Sequence, residues 1–391
     1  MTALRIAILT HSTNPRGGVA HCLALAEALC ALGHEAVVHA PDPAGRGFFR
    51  DAACPTVSVA ARPVDGSTVD LVRARINDTL RHFASPAACD FDVFHAHDGI
   101  GGNALATLKH RRLIRGFVRT VHHIDGFSDP QLAEWQDRSI REATRLLCVS
   151  RTWADWIRGD LGAEADIVGN GVDLSVYRTG PSEADAVVRE RWGLGPGPVI
   201  LSVGGFEARK NTLGIIAAFA RLRARHPQAQ LVVAGGVSLL DHAAYRARCR
   251  AALASAGLGV GRGSAVLETG PVPQADMPAL YRIADALAFP SWKEGFGLCV
   301  LEAMACGTPA IVSRQPPFTE YLAPTDALFV DPADPDAIAG AMAQALAPDT
   351  HAQLRAAGLA RSAAQSWRAC AQRHRDAYAA CARSRQETIH A

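Results

Sequence analysis

The chain has 391 residues, more than one ordinary core accommodates and enough for two domains. Forty Lys and Arg against 38 Asp and Glu leave a formal charge of +2, so no global field marks it for nucleic acid. Ten cysteines are scattered without a C-x-x-C pair, and no apolar run approaches the roughly 20 residues of a membrane span; a cytoplasmic protein is expected.

From the N-terminus, short apolar runs alternate with amphipathic stretches. Strands are predicted at Arg5 to Leu9, Ala36 to Ala40, Phe91 to Ala96, Gly116 to Val121 and Leu146 to Val149. Helices fit Ala20 to Leu32, stopped by Gly33, and Val69 to Phe83, with Ser150 as the N-cap of a third. The stretch from Asn170 to Gly195, with its Asn-Gly turn and closing Gly-Leu-Gly-Pro-Gly-Pro, reads as a connection. A second series follows. Its strands are Val199 to Val203, Leu231 to Ala234, Ala286 to Phe289, Ala310 to Val312 and Leu328 to Val330, with helices near Leu213 to Arg225, Ala243 to Ala256 and Pro335 to Leu346. The pattern is α/β: two doubly wound parallel sheets, with ligands expected outside the carboxyl ends of the strands. A helical tail from about Trp367 to Ser384 has no strand to follow.

Chemistry-bearing motifs fall on the loops after those strands. Asn14-Pro-Arg-Gly17-Gly18-Val19 offers two glycines for close approach of a ligand. His95-Ala-His97-Asp-Gly and Thr120-Val-His122-His123 place histidines at two strand ends. They read as core residues, as hydroxyl contacts or as a His-x-His metal pair, but no third and fourth ligand with recognisable spacing accompany them, and no metal is assigned. Gly204-Gly205-Phe-Glu-Ala-Arg209-Lys210-Asn-Thr combines a glycine turn with two cations at a helix start, suited to a diphosphate; a solvated helix start is the alternative. Only Lys109, Lys210 and Lys293 are lysines in this arginine-rich chain, a hint that a compact point charge is wanted at Lys210. The run Glu294 to Pro309, EGFGLCVLEAMACGTP, is a glycine-broken loop entering a helix, with Glu294 before the turn and Glu302 eight residues on. Two carboxylates beside a phosphate-binding helix start are there for hydroxyls. Asp90-Phe-Asp92 precedes a strand and Gly257 to Gly263 follows a helix, so both read as turns. The basic run Lys109 to Arg115 is a solvated face or a peripheral contact with an anionic membrane.

The E-x7-E segment, residue for residue, resembles the signature of the retaining glycosyltransferases of family 4. The resemblance implies the GT-B fold: two Rossmann-like domains facing across a cleft, residues 1–176 binding acceptor and 177–366 binding a nucleotide-diphosphate sugar, with a C-terminal helix, 367–391, crossing back to the first domain. It implies a sugar transfer that needs no metal and no cofactor beyond the donor. Arg209, Lys210, Glu294 and His122 take the catalytic positions, with His123 as the alternative to His122. Gly17, Gly18, Gly205, Gly295, Phe296, Gly297, Leu298 and Glu302 take the donor, Glu302 at the ribose. Gly205 is a departure, since the family commonly has an arginine there. The same scaffold also carries nucleotide-sugar epimerases and phosphorylases, and a non-catalytic nucleotide-sugar sensor is a further class. Acceptor, sugar and base are left open, with specificity expected in the loops Ala44 to Arg50 and Phe127 to Trp135.

Overall fold

The structure, a computed structural model, describes residues 3–235 and 243–387, with side chains up to residue 379; residues 388–391 of the expected C-terminal segment lie outside the described residues. The described residues form two compact units, one running to Gly171 and resuming at Trp367, the other spanning Val172–Ser366.

The first unit is built on a seven-stranded sheet: β1 (Arg5–Leu9), β2 (Glu35–Asp42), β3 (Thr56–Ala60), β4 (Val93–Ala96), β5 (Val118–Val121), β6 (Arg145–Cys148) and β7 (Ala165–Ile167). Its helices are α1 (Gly17–Ala31), α2 (Thr68–His82), α3 (Gly99–His110), α4 (Pro130–Arg141) and α5 (Arg151–Trp156). Every strand pairs in parallel. Helices on both faces bury the central strands, so Ile6, Ala7, Ile8 and Leu9 are all buried and the sequence runs apolar without alternation. A Ser67–Asp70 capping box starts α2, and Asp129 accepts from the N–H groups of Gln131 and Leu132 at the start of α4, each cap worth about 1 kcal/mol.

The second unit repeats the plan with β8 (Val199–Val203), β9 (Gln230–Ala234), β10 (Val266–Gly270), β11 (Ala286–Phe289), β12 (Ala310–Ser313) and β13 (Leu328–Val330). Its helices are α6 (Glu183–Trp192), α7 (Thr212–Arg223), α8 (Ala243–Ser255), α9 (Met277–Ile283), α10 (Leu298–Ala305), α11 (Phe318–Tyr321), α12 (Pro335–Ala345) and α13 (Pro348–Ala363). After it, α14 (Trp367–Glu387) returns the chain to the first unit. There Ala371, Ala377 and Tyr378 share a core with Ile6, Ile8, Leu23 and Val38.

The strand orders are β3-β2-β1-β4-β5-β6-β7 and β10-β9-β8-β11-β12-β13. Counted within its own unit, each sheet runs 3-2-1-4-5-6, with a seventh strand added at the end of the first, the doubly wound order that reverses between first and fourth strand. A crevice opens where the connections diverge, and that crevice is where such sheets bind ligands. The two places to inspect are therefore the carboxyl ends of β1 and β4 and of β8 and β11.

Several local expectations change. β3, β7, β10, α3, α4, α6, α9, α11 and α13 are additional elements; α6 stands inside the stretch read as a connection, started by a Ser182–Asp185 capping box, and α4 puts Trp135 on a helix rather than in a specificity loop. Ser150 stands at the N-cap position of α5, but its hydroxyl makes no cap bond. Val172 bridges to Ser366, so the second unit begins and ends at one place.

Candidate functional site

At the switch point of the second unit, β8 leaves at Val203 into Gly204 and Gly205, with φ of +125° and +71°. Both N–H groups donate to the Ala234 carbonyl, at 2.7 and 3.0 Å. The Gly205 N–H is thus engaged inside the fold and is not a phosphate donor. An arginine at 205 would need the left-handed backbone that glycine tolerates, which accounts physically for the departure there. A Cβ on Gly204 would stand 2.8 Å from Cγ and Cε of Lys210, so glycine lets the lysine stem lie flat against the turn.

This turn is fastened to the loop after β11. Asn211, buried with φ of +59°, donates through Nδ2 to the carbonyls of Pro290 (3.2 Å) and Pro332 (2.7 Å). The Trp292 N–H donates to the Arg209 carbonyl at 2.8 Å. Between the loops, Glu294 Oε1 accepts from Lys210 Nζ at 2.7 Å and from Arg209 at 2.9 Å, while Arg209 Nε donates to Glu207 at 3.2 Å. Lys210 Nζ also lies 4.3 Å from the centre of the Phe289 ring. The Glu294 side chain is 7% exposed. Burial alone would raise its pKa, yet the charges of Lys210 and then Arg209 outweigh it and hold the carboxyl below its ordinary value. Two cations and two carboxylates make a nearly neutral, preorganised cluster.

The glycines of the following loop divide by role. Gly297 has φ of +91°, and a Cβ there would meet Phe318 at 2.7 Å, so this glycine is required by the fold itself. Phe296 stacks on Tyr321 (4.5 Å, 5°), and its carbonyl accepts from the Tyr321 hydroxyl at 3.2 Å. Its side chain therefore packs inward against that ring. Gly295 is half-buried ahead of it, and Leu298 opens α10. One turn in, Glu302 Oε2 accepts from the Tyr281 hydroxyl at 2.7 Å. Burial pushes the Glu302 carboxyl above its ordinary value, against hydroxyl bonds from Tyr281 and Tyr177. Gln274 Nε2 donates in turn to the Tyr177 hydroxyl at 2.7 Å. Neither tyrosine was foreseen from sequence: each sits alone in its segment, and only the fold brings it to Glu302.

In the first unit, Gly17 and Gly18 form the opening of α1 rather than a loop. Neither has a left-handed φ, and a Cβ on either would meet nothing within 4 Å. Glycine in a helix costs about 1 kcal/mol relative to alanine, so the backbone gains nothing from them here. The histidines converge. His95, on β4, bonds Thr120 Oγ1 and the Tyr378 hydroxyl at 2.7 Å each; His97 Nε2 is 3.2 Å from His95 Nδ1, and His97 Nδ1 is 3.0 Å from His122 Nε2. His123 is exposed and turned to Asp125 at 3.1 Å, which leaves His122 as the member of this cluster. His21, from α1, supplies the third imidazole that spacing did not reveal: nitrogens of His21, His97 and His122 lie within 4.8 Å of one another. Burial lowers His21 to about 4 and keeps His97 and His122 well below the ordinary histidine value, so all three are neutral.

The remaining motifs resolve simply. Asp90 and Asp92 both meet Arg5 ahead of β4. In the basic run, Lys109 donates to the Glu142 carbonyl (2.9 Å) and His110 bonds its carboxylate (3.0 Å), leaving Arg111, Arg112 and Arg115 exposed. Among the described residues no helix is long and apolar enough to cross a membrane, and every cysteine is free.

Comparison with known proteins matches residues 188–360 to the family described as glycosyl transferases group 1, and residues 15–176 to glycosyltransferase family 4. The D-inositol 3-phosphate glycosyltransferase of Salinispora arenicola is 33% identical over 258 residues, 60% of this chain and 56% of that protein. The O-antigen chain mannosyltransferase B of Escherichia coli is 29% identical over 287 residues, 69% of this chain and 71% of that one. The chain thus spans little more than half the length of the first of these relatives. Among solved structures, a sucrose-phosphate synthase from Thermosynechococcus elongatus aligns with a TM-score of 0.79 at 22% identity, covering 99% of both chains. Anabaena HepE in complex with UDP-glucose aligns at 0.76 and 19%, covering 96% of this chain and 100% of that one. At such identities the likeness concerns the fold.

The two glutamates respond oppositely to pH. Glu302 holds its proton more tightly folded than unfolded, so its ionisation costs stability as pH rises from about 4.5 through its raised value. Glu294 adds stability above its ordinary value and loses it as pH falls through the depressed one. Glu302→Gln is therefore expected to be at least as stable as wild type at neutral pH. Its stability should also fall less between mildly acidic and neutral pH, as read by urea unfolding at each pH.

Proposed function

The chain belongs to glycosyltransferase family 4, and we propose that it moves a sugar from a nucleotide-diphosphate donor to a hydroxyl acceptor, with retained anomeric configuration and without a metal ion. The observation that carries this is the buried Glu294 carboxylate shared by Lys210 and Arg209 at the β8 and β11 switch point, with Glu302 one turn into the next helix. Anabaena HepE, of like fold, was solved with UDP-glucose, which supports the donor class.

As the sugar leaves, negative charge grows on the diphosphate. Lys210 meets it with the N–H groups not used by Glu294, Arg209 with the outer edge of its guanidinium, and α10 with the N–H groups of its first turn. These donors are fixed in advance by Asn211 and the Trp292 bond, so little reorganisation is left for the reaction. Glu294 holds the cations through Oε1 and offers Oε2 to a hydroxyl of the sugar. Glu302, steadied by Tyr281, takes the ribose hydroxyls, whose bonds replace the water its carboxylate lacks. The acceptor hydroxyl attacks from the face the leaving group vacates, and the departing phosphate takes its proton. His122, kept neutral by burial, hydrogen-bonds a hydroxyl of the sugar or the acceptor.

The direct test is the product. With chelator present, NMR of the glycoside formed is expected to show the donor's own anomeric configuration; an inverted linkage, or conversion of the sugar without any acceptor, refutes the proposal. Lys210→Met should lower turnover by a hundredfold or more, about 3 kcal/mol of barrier. It should also cost stability, because a buried carboxylate loses a partner. Adding Glu294→Gln is expected to restore the stability but not the turnover. Gly18→Ala should keep the fold, because its Cβ would meet nothing within 4 Å, while lowering activity through contact with the donor.

A further inference from the structure

We propose that His21, His97 and His122 form a transition-metal site in the first unit, taking a divalent ion of the zinc and cobalt class. His21 comes from α1, His97 follows β4 and His122 follows β5, so three separate elements deliver imidazoles to one point. One nitrogen from each lies within 4.8 Å of the other two. Zinc–nitrogen bonds of about 2.0–2.1 Å place neighbouring ligand nitrogens roughly 3.4 Å apart, so small ring rotations close the set.

A second observation points the same way. His21 is fully buried and its Nδ1 stands 2.5 Å from Asn170 Oδ1. An amide oxygen only accepts, so the Nδ1 carries the proton and Nε2 carries the lone pair; that Nε2 is buried and has no partner. This is how proteins commonly orient a histidine that ligates a metal. The hydroxyls of Thr120 and Tyr378 can each donate or accept, so the row beyond it has two proton assignments, and one of them suits a metal. His95 donates from Nε2 to Thr120 and accepts at Nδ1 from His97 Nε2, which leaves the His97 Nδ1 lone pair facing His122. A metal ion then takes the place of the proton between His97 and His122, and His122 carries its own proton on Nδ1. No net proton is released, because the three rings are already neutral.

The donor set of three imidazoles selects zinc, cobalt, nickel or copper over magnesium or calcium, which want oxygen ligands. The cations that serve the proposed sugar transfer belong to the second unit, and His122 is the residue that the two readings share. His122 is half-buried, and with the ion bound its Nδ1–H can donate to a hydroxyl.

The test is cobalt(II) titration of the full chain after chelator treatment and chelator removal. One equivalent should bind, with the visible bands of tetrahedral cobalt, and zinc should bleach them. Asn170→Leu should weaken cobalt binding by about 10- to 100-fold by freeing the His21 ring. His21→Gln should abolish the bands. His39→Gln, which breaks the other close histidine pair (His39 and His82, 3.1 Å), should leave them intact, each variant being checked for native circular dichroism. Absence of stoichiometric cobalt binding to wild type overturns the proposal. So does binding that survives His21→Gln in a folded chain.

Discussion

A carboxylate almost removed from water governs the second unit. An isolated buried charge is too costly to keep, and Glu294 stays ionised because Lys210 and Arg209 converge on one of its oxygens. Much of the local architecture follows from that requirement. The two left-handed glycines turn the chain back toward β11, Gly204 leaves room for the lysine stem, and Asn211 accepts a strained φ so that its amide can bind two carbonyls across the gap. The two cations are therefore held together at the β8 and β11 switch point without repelling each other apart.

The two sheets share a strand order but not a chemistry. At the β8 and β11 switch point the loops carry full charges. At the β1 and β4 switch point they carry neutral imidazoles and bare glycines. Helix α14 contributes to the second of these arrangements from the far end of the sequence: Tyr378 is fully buried in the first unit's core and its hydroxyl bonds His95. The histidine row thus depends on residues separated by most of the chain.

Legibility in the sequence followed burial. The strands at Arg5–Leu9, Val199–Val203, Ala286–Phe289 and Leu328–Val330 were readable to the residue, the first three because strands covered on both faces are uninterrupted apolar runs. The strands that escaped notice, β3, β7 and β10, are all sheet edges, where half-exposed residues weaken the pattern. The α3 helix begins with a glycine cluster that looks like a turn; Gly102 lies where a Cβ would be 2.7 Å from Ser139 on α4. At the site, Glu294, Glu302, Arg209 and Lys210 were evident because they fall in contiguous motifs. Tyr281, Tyr177 and His21 were not, because tertiary structure alone brings them there. Motif composition also conceals structural roles: Gly205, Phe296 and Gly297 each serve the fold's own geometry.

The most direct measurement is the thermal stability of the whole chain with UDP, GDP, ADP, TDP and CDP, each with chelator and with magnesium. One nucleoside diphosphate, at about a hundred times its dissociation constant, should add roughly 2.7 kcal/mol of stability to the same extent in chelator as in magnesium. Stabilisation that appears only with magnesium, or by none of the five, would contradict a diphosphate site made of Lys210, Arg209 and the start of α10.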